Sequence, residues 1–448
     1  MDPDCKPSGW RKSNISLKYP TYRDIPLKTV YSWLAGKRVD DNAESLWRIH
    51  NVIYDFTDFI DKHPGGTSWL EQTKGTDITE AFEAHHISNL PEQMLKKYKV
   101  RDALKPRNML FTFKEDGFYR TLKKRVREKL KEVDHSPSKR SDLINTGLLI
   151  MTYLLAVESA AINSYVLAVM SGLLLCWTVI SAHNYFHKRD NWRMYTFNIS
   201  FMNFRDWRVS HAFSHHLYTN SFHDLECSMF EPFFCWIPNP YMKNWFQRYG
   251  SWIYGPGVYA FVFVGQIAMR VLYSVTQENM LHWDDLIALT LPLTMLIFSG
   301  RGFIEVMIMW IIIFTVGSFI FGVIGLNAAH HHPDIVHDGD MLRKDLDWGL
   351  YQLDAVTDRS DVQGSQFLVL THFGDHSLHH LFPTLDHGIL PQLYPILFDT
   401  IAEFRGQFRD CAWIEHIIGQ NKQLARIKPN KTPPAEEVLN RSKYKKLL

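Results

Sequence analysis

A chain of 448 residues is too long for one ordinary domain and fits two or three. Lys plus Arg total 49 and Asp plus Glu 47, a near balance that excludes the basic footprint of a nucleic-acid binder. The mean hydropathy of −0.19 averages a polar first part with long apolar runs between 143 and 329. Five cysteines form no CxxC pair and are odd in number, which excludes a disulfide framework and points to reduced thiols. No secretory leader precedes the apolar runs, so the first span is expected to carry the membrane targeting. The 22 histidines, many in tight clusters, are the informative residue type.

Residues 21–100 alternate short apolar runs with turn signals. In RIHNVIYDFTDFIDKHPGG, Ile49, Val52, Ile53 and Tyr54 are strand formers. Pro64, Gly65 and Gly66 then make a tight turn with His63 at its edge. The stretch TSWLEQTKGTDITEAFEAHHI predicts two short helices, with Thr76 or Asp77 able to cap the second. Tyr54, Asp55, Thr57, Phe59, the HPGG turn at 63–66, Asp77, Thr79 and Phe82 together resemble the cytochrome b5 family. That resemblance implies an α+β haem-binding domain over 20–102, with haem b held by one imidazole from each of two loops. His63 is the implied first axial ligand. His85 and His86 are adjacent; His86 stands at the spacing from Phe82 found in desaturase-fused members and is the implied second ligand. Haem held at both axial positions leaves no place for oxygen, so it passes electrons and the chemistry lies elsewhere.

Residues 103–142 connect. FYRTLKKRVREKL puts Phe118, Leu122, Val126 and Leu130 on one helical face, which predicts a helix lying on the membrane surface. Spans are predicted at 144–162 and 165–183, with Glu158 facing the bundle. Further apolar runs fill 251–273, 286–300 and 303–329. The first of these is weakened by Pro256, Gln266 and Arg270, and Gly300, Arg301 and Gly302 form a hairpin between the other two. An even number of crossings must separate boxes that share one metal site, so 251–273 is expected to lie in the interface or re-enter.

The histidines then fall into boxes. HNYFH sets His183 and His187 at i and i+4. HAFSHH does the same for His211 and His215, with His216 beside them. NAAHHHP offers Asn327 and His331, in a register uncertain by one residue against His330. HSLHH presents His376, His379 and His380 at i, i+3 and i+4. Repeated imidazoles at helical spacing are how helices hand several ligands to one transition-metal ion.

The order of these boxes along a polytopic segment resembles the integral-membrane fatty acid desaturase and hydroxylase family, over roughly 140–400. The resemblance implies an all-α polytopic domain at 143–400 with a cytosolic di-iron cap, followed by a cytosolic tail at 401–448. The implied ligands to two iron ions are His183, His187, His211, His215, His216, His331, His376, His379 and His380, with Asn327 acting through a water. The implied reaction consumes dioxygen and a lipid or fatty acyl substrate, with NADH-cytochrome b5 reductase as electron donor and no nucleic acid. The third box begins with His376 where many front-end members have Gln, which leaves the regiochemistry open. A hydroxylase on the same scaffold, or an electron carrier with a non-catalytic metal site, are the alternatives. Lys445 and Lys446 near the C-terminus resemble a dilysine signal, implying the endoplasmic reticulum membrane with both termini and the boxes cytosolic.

Overall fold

The computed structural model describes residues 9–434, 441–444 and 447. Cys5 and the Lys445-Lys446 pair lie outside the described residues, and Cys176, Cys227, Cys235 and Cys411 are free thiols.

The first unit is built on a three-stranded antiparallel sheet, β1 (Trp47–Ile49), β2 (Val52–Tyr54) and β3 (Lys99–Asp102), in sequential order. β1 and β2 are joined tightly through His50, whose φ of 52° turns the chain. Helices α1 (Val30–Asp41), α2 (Ser68–Thr73), α3 (Thr79–His85) and α4 (Leu90–Leu95) surround the sheet. Trp47, Phe56, Trp69 and Phe82 form its core. α1 starts at a Thr29–Ser32 capping box, which satisfies backbone donors that a helix start leaves open.

Helix α5 (Phe118–Lys129) departs from the sequence expectation. Its apolar face, Phe118, Leu122 and Val126, is fully buried in protein. That face packs against the helices Tyr394–Phe404 and Trp348–Asp354. On its other side Lys123 and Arg120 grip the buried Glu83 carboxylate of α3, the former at 3.0 Å, and Arg127 donates to the Ile87 carbonyl at 2.6 Å. An apolar stripe buried by protein has the same periodicity as one buried by lipid, so the pattern could not tell them apart. The connection is therefore no loose tether: one hydrophobic core runs from Trp47 in the first unit to Phe398 in the second.

Among the described residues, three helices are long and apolar enough to cross a membrane: α6 (Ser136–Ala161), α7 (Tyr165–Phe186) and Phe303–Gly325. α7 and the last of these meet at Gly172, where a Cβ would stand 2.8 Å from the Ile313 carbonyl oxygen, a close approach of the small-residue kind. The run expected at 286–300 forms a 3₁₀ segment, Trp283–Leu289, followed by a nine-residue helix, Thr290–Phe298. With about 2 Å of rise per 3₁₀ residue and 1.5 Å per α residue, the two cover about 27 Å, nearly a hydrocarbon thickness. Its start is held beside the second box, where Asp284 accepts from Asn203 (2.9 Å) and Arg205 (2.8 Å). Its end reaches Arg301, which donates to Ala161 at the far end of α6 (2.8 Å).

The run at 251–273 forms two helices, Ser251–Ala260 and Val262–Thr276, bent by 68°. Both ends are tied to the histidine-bearing side. Ser251 donates to Asn421 (2.6 Å), and Arg270 pairs with Asp206 (2.7 Å) and Asp285 (2.6 Å). A buried Arg in an apolar run is held by carboxylates that only the polar side supplies. Glu158 does not face the bundle: it is exposed, one turn from the end of α6, in an apolar groove beside Phe298. At that depth its carboxylate is close enough to the helix end to escape the hydrocarbon centre. From 401 to 434 the chain stays in the cap. β4 (Asp358–Arg359) pairs in parallel with β5 (Asp410–Cys411), and the helix Trp413–Ala425 packs on Trp245–Tyr249.

Two candidate metal sites

In the first unit His63 ends the 3₁₀ turn Thr57–Lys62, and His86 caps α3. Their rings face each other with centroids 6.2 Å apart and planes at 86°. Two metal–imidazole bonds of about 2 Å each, plus the two half-rings, span about 6 Å, so one iron fits between them. Each ring is oriented through Nδ1 by a backbone carbonyl, Gly66 for His63 and Phe82 for His86, both at 3.0 Å. That leaves both Nε2 atoms free to ligate. Burial, with the neighbouring His85 second, pushes the His86 imidazole down to about 3, which keeps it neutral. His85 points elsewhere: its ring lies 5.2 Å from Trp69. The residues present fit haem.

In the cap the boxes converge into two groups. His183, His187, His211, His216 and His379 form one; His215, His330, His376 and His380 form the other. In the first group Nε2 of His183 lies 2.7 Å from that of His211, 3.2 Å from His187 and 3.0 Å from His379, and His216 lies 3.0 Å from His211. Two imidazoles bound at right angles, each about 2.1 Å from one ion, stand about 3 Å apart. In the second group His330 and His376 approach to 2.6 Å. These residues fit two metal ions, and imidazole is a donor suited to iron.

The second box sits on a π-helix, Arg208–His215, in place of the expected α-helix. The His216 N–H closes onto the His211 carbonyl, an i→i+5 bond. His211 and His216 therefore stack toward the first group, while His215 turns into the second. His330, and not His331, joins the second group. The long helix ends at Gly325, so the helical i, i+4 spacing expected of Asn327 and His331 does not apply. His331 stacks flat on Trp236 instead, at 3.7 Å and 4°. The Asn327 amide nitrogen donates to the Val323 carbonyl at 2.8 Å.

Sequence reasoning missed the carboxylates behind the imidazoles. Asp224 accepts from His215 Nδ1, Glu226 from His211 Nδ1, both at 2.9 Å, and Gln352 pairs with His380 at 3.0 Å. Such partners fix ring orientation and raise basicity. The His215 imidazole is desolvated, which lowers its pKa, yet Asp224 and Glu226 outweigh this and raise it. His216, His379 and His380 are driven well below the usual range by burial and then by their neighbouring imidazoles. The HDLE stretch at 223–226, seven residues past the box, was the available signal.

A cavity of about 80 Å³ adjoins both groups. Trp207, Phe321 and Phe373 give it apolar walls, and His211, His215, His330 and His376 reach its surface. It is bounded by Val262 and Gln266 of the bent pair and by Gly325 of the last long helix. The cavity thus lies between apolar side chains and imidazoles of both groups.

Residues 161–411 match the fatty acid desaturase family, and residues 34–104 match the cytochrome b5-like haem/steroid binding domain. A cytochrome b5-related protein of Drosophila melanogaster is 57% identical over 95% of this chain and 98% of its own length. Delta(5) fatty acid desaturase A of Dictyostelium discoideum is 26% identical over 83% of this chain and 88% of its own length. The acyl-lipid (8-3)-desaturase of Mortierella alpina is 23% identical over 86% and 96%. No solved structure matches.

Proposed function

Since the chain belongs to the fatty acid desaturase family and carries a cytochrome b5-like domain in front, we propose that it removes two hydrogens from an acyl chain of a membrane lipid. The observation that carries this is the convergence of nine imidazoles into two groups beside an apolar cavity. Two iron ions fit the groups, with His183, His187, His211, His216 and His379 holding one and His215, His330, His376 and His380 the other. When bound, the iron pair supplies activation of dioxygen. Haem b, held by His63 and His86, supplies electrons one at a time. The overall balance is one dioxygen, two protons and two electrons consumed with the two hydrogens of the substrate, giving a double bond and two waters.

The chain's own residues set the conditions. Asp224 and Glu226 hold His215 and His211 with Nε2 turned to the ion. Phe321, Phe373 and Trp207 keep water from the hydrocarbon and fix its distance from the ions. Acyl-lipid action is supported by the names of the Mortierella relative and by a cavity that faces the bundle. We place the chain in the endoplasmic reticulum membrane with its termini and boxes cytosolic, and NADH-cytochrome b5 reductase as its electron donor, because a haem that spends electrons needs a cytosolic source. The test is expression in yeast with total lipid profiling, sphingoid bases included. A product two hydrogens lighter than its parent lipid is expected. A product heavier by one oxygen would make the chain a hydroxylase, and no product with both metals loaded would make it a carrier.

A further inference from the structure

The two metal sites are separated by a seam of named side chains, and one ring spans it. Trp69 sits on α2, directly behind the His63 turn. A Cβ added at Gly65 would lie 2.9 Å from the His63 ring and 3.4 Å from Trp69 Cδ1, so the missing side chain lets Trp69 close on that turn. The same indole lies 5.2 Å from His85, the neighbour of His86, and meets Phe213 edge-on at 5.1 Å. Phe213 lies on the π-helix between His211 and His215.

Arg208, the first residue of that π-helix, holds the arrangement. Its guanidinium lies 4.7 Å above the Trp69 ring. It donates to Ser68 (2.9 Å), to Asp190 (2.7 Å) and to the Phe186 carbonyl beside His187 (3.1 Å). Asp190 in turn packs on Gly66, where φ is +110° and a Cβ would stand 2.7 Å from the carboxylate. His85 is held through Nδ1 by the Ala81 carbonyl (3.0 Å), its Nε2 is buried with no hydrogen-bond partner, and its ring packs on Trp69.

We infer that Trp69, backed by His85, is the contact through which electrons pass from the haem crevice to the di-iron groups, with Arg208 as its positioning residue. This rests on the function proposed above. One electron leaves ferrous haem, which becomes ferric, and one ferric ion of the pair becomes ferrous. No bond or proton changes at Trp69, which serves as packed matter in place of a gap. The haem is then re-reduced by a flavoprotein donor. The basis is the continuous packing of His85, Trp69 and Phe213 between the two sites.

The experiment uses the full chain loaded with haem and ferric iron, without oxygen or lipid. A flash with a ruthenium sensitiser places one electron on the haem, and the decay of ferrous-haem absorbance is followed. Trp69→Leu is expected to slow this decay by at least about tenfold, in line with the sensitivity of oriented transfer to small displacements. Trp69→Phe, which keeps a ring in contact, should recover most of the rate. Haem spectrum, iron content and reduction of the iron by dithionite with a mediator should match the parent protein in both, which a merely structural role would not leave intact. His85→Leu is the second variant and should also slow the decay while keeping the low-spin spectrum. Decay at the parent rate in Trp69→Leu and His85→Leu overturns the inference, as does loss of chemically driven iron reduction in step with the decay. If the parent protein's ferrous haem persists as long as that of iron-free protein, the function proposed above fails instead.

Discussion

The haem crevice and the iron cap both present imidazoles, but they hold them differently. In the crevice His63 and His86 lean on backbone carbonyls, neutral acceptors fixed by the fold. In the cap His211 and His215 lean on the carboxylates of Glu226 and Asp224. A neutral acceptor orients a ring and little more. A carboxylate also pushes electron density through it and favours a more highly charged metal. The contrast fits the proposed roles: carbonyl-held rings for a group that would pass single electrons, and carboxylate-backed rings for ions that would activate dioxygen.

The sharpest way to break the comparison is to remove one ligand from each side. His379→Ala should lower iron content and cut lipid product by about a hundredfold or more, with the haem spectrum untouched. His63→Ala should do the reverse: haem lost, iron kept, and turnover restored by added cytochrome b5. Metal analysis, absorbance and lipid mass spectrometry on the same preparations read both. Should either change empty both sites, the two are one cooperative unit and the comparison falls. Next in size is Asp224→Asn. It should weaken iron binding about ten- to a hundredfold, measured by competition with a chelator, while the carbonyl-held haem does not respond.

A third test addresses the contact between α3 and α5. Glu83 is desolvated, which raises its pKa, but His50, Lys123 and Arg120 outweigh this and hold it well below the usual carboxylate range. Its stabilising share is therefore complete above about pH 4.5, the unfolded value. It is lost as pH falls through the folded value. Glu83→Gln should cost about 3 kcal/mol at neutral pH, because Lys123 and Arg120 lose a buried partner, and should flatten the acid dependence of the melting temperature. An unchanged acid slope would show that α5 is not tied through Glu83. The smallest effect concerns register. His330→Ala should lower iron content, whereas His331→Ala should keep it and lose about 1 kcal/mol of stacking on Trp236. Iron loss from His331→Ala alone would reverse that assignment.

What the sequence disclosed was local. The HPGG turn with His63, and three boxes of histidines, are contiguous strings whose spacing carries the meaning. The choice between His330 and His331 stayed open because the helix stops at Gly325, and beyond a helix end no period assigns a face. The burial of α5 escaped because lipid and protein are both apolar solvents to an amphipathic helix. Glu158 was read as facing inward because cost rises with depth, and depth is not written in a residue's neighbours. Trp69, Phe213 and Arg208 lie far apart in the chain and meet only through packing, so no string could announce the seam.

The π-helical turn at 208–215 has a consequence for how the centre is divided. Its bond closes from residue i+5 onto residue i, so the turn takes in about one residue more than an α-helical turn. Removing one residue there would rotate everything beyond it by about 100° and send His215 and His216 to the wrong sides. The wide turn thus divides one row of histidines, giving His211 and His216 to the first group and His215 to the second, where other elements supply His330, His376 and His380.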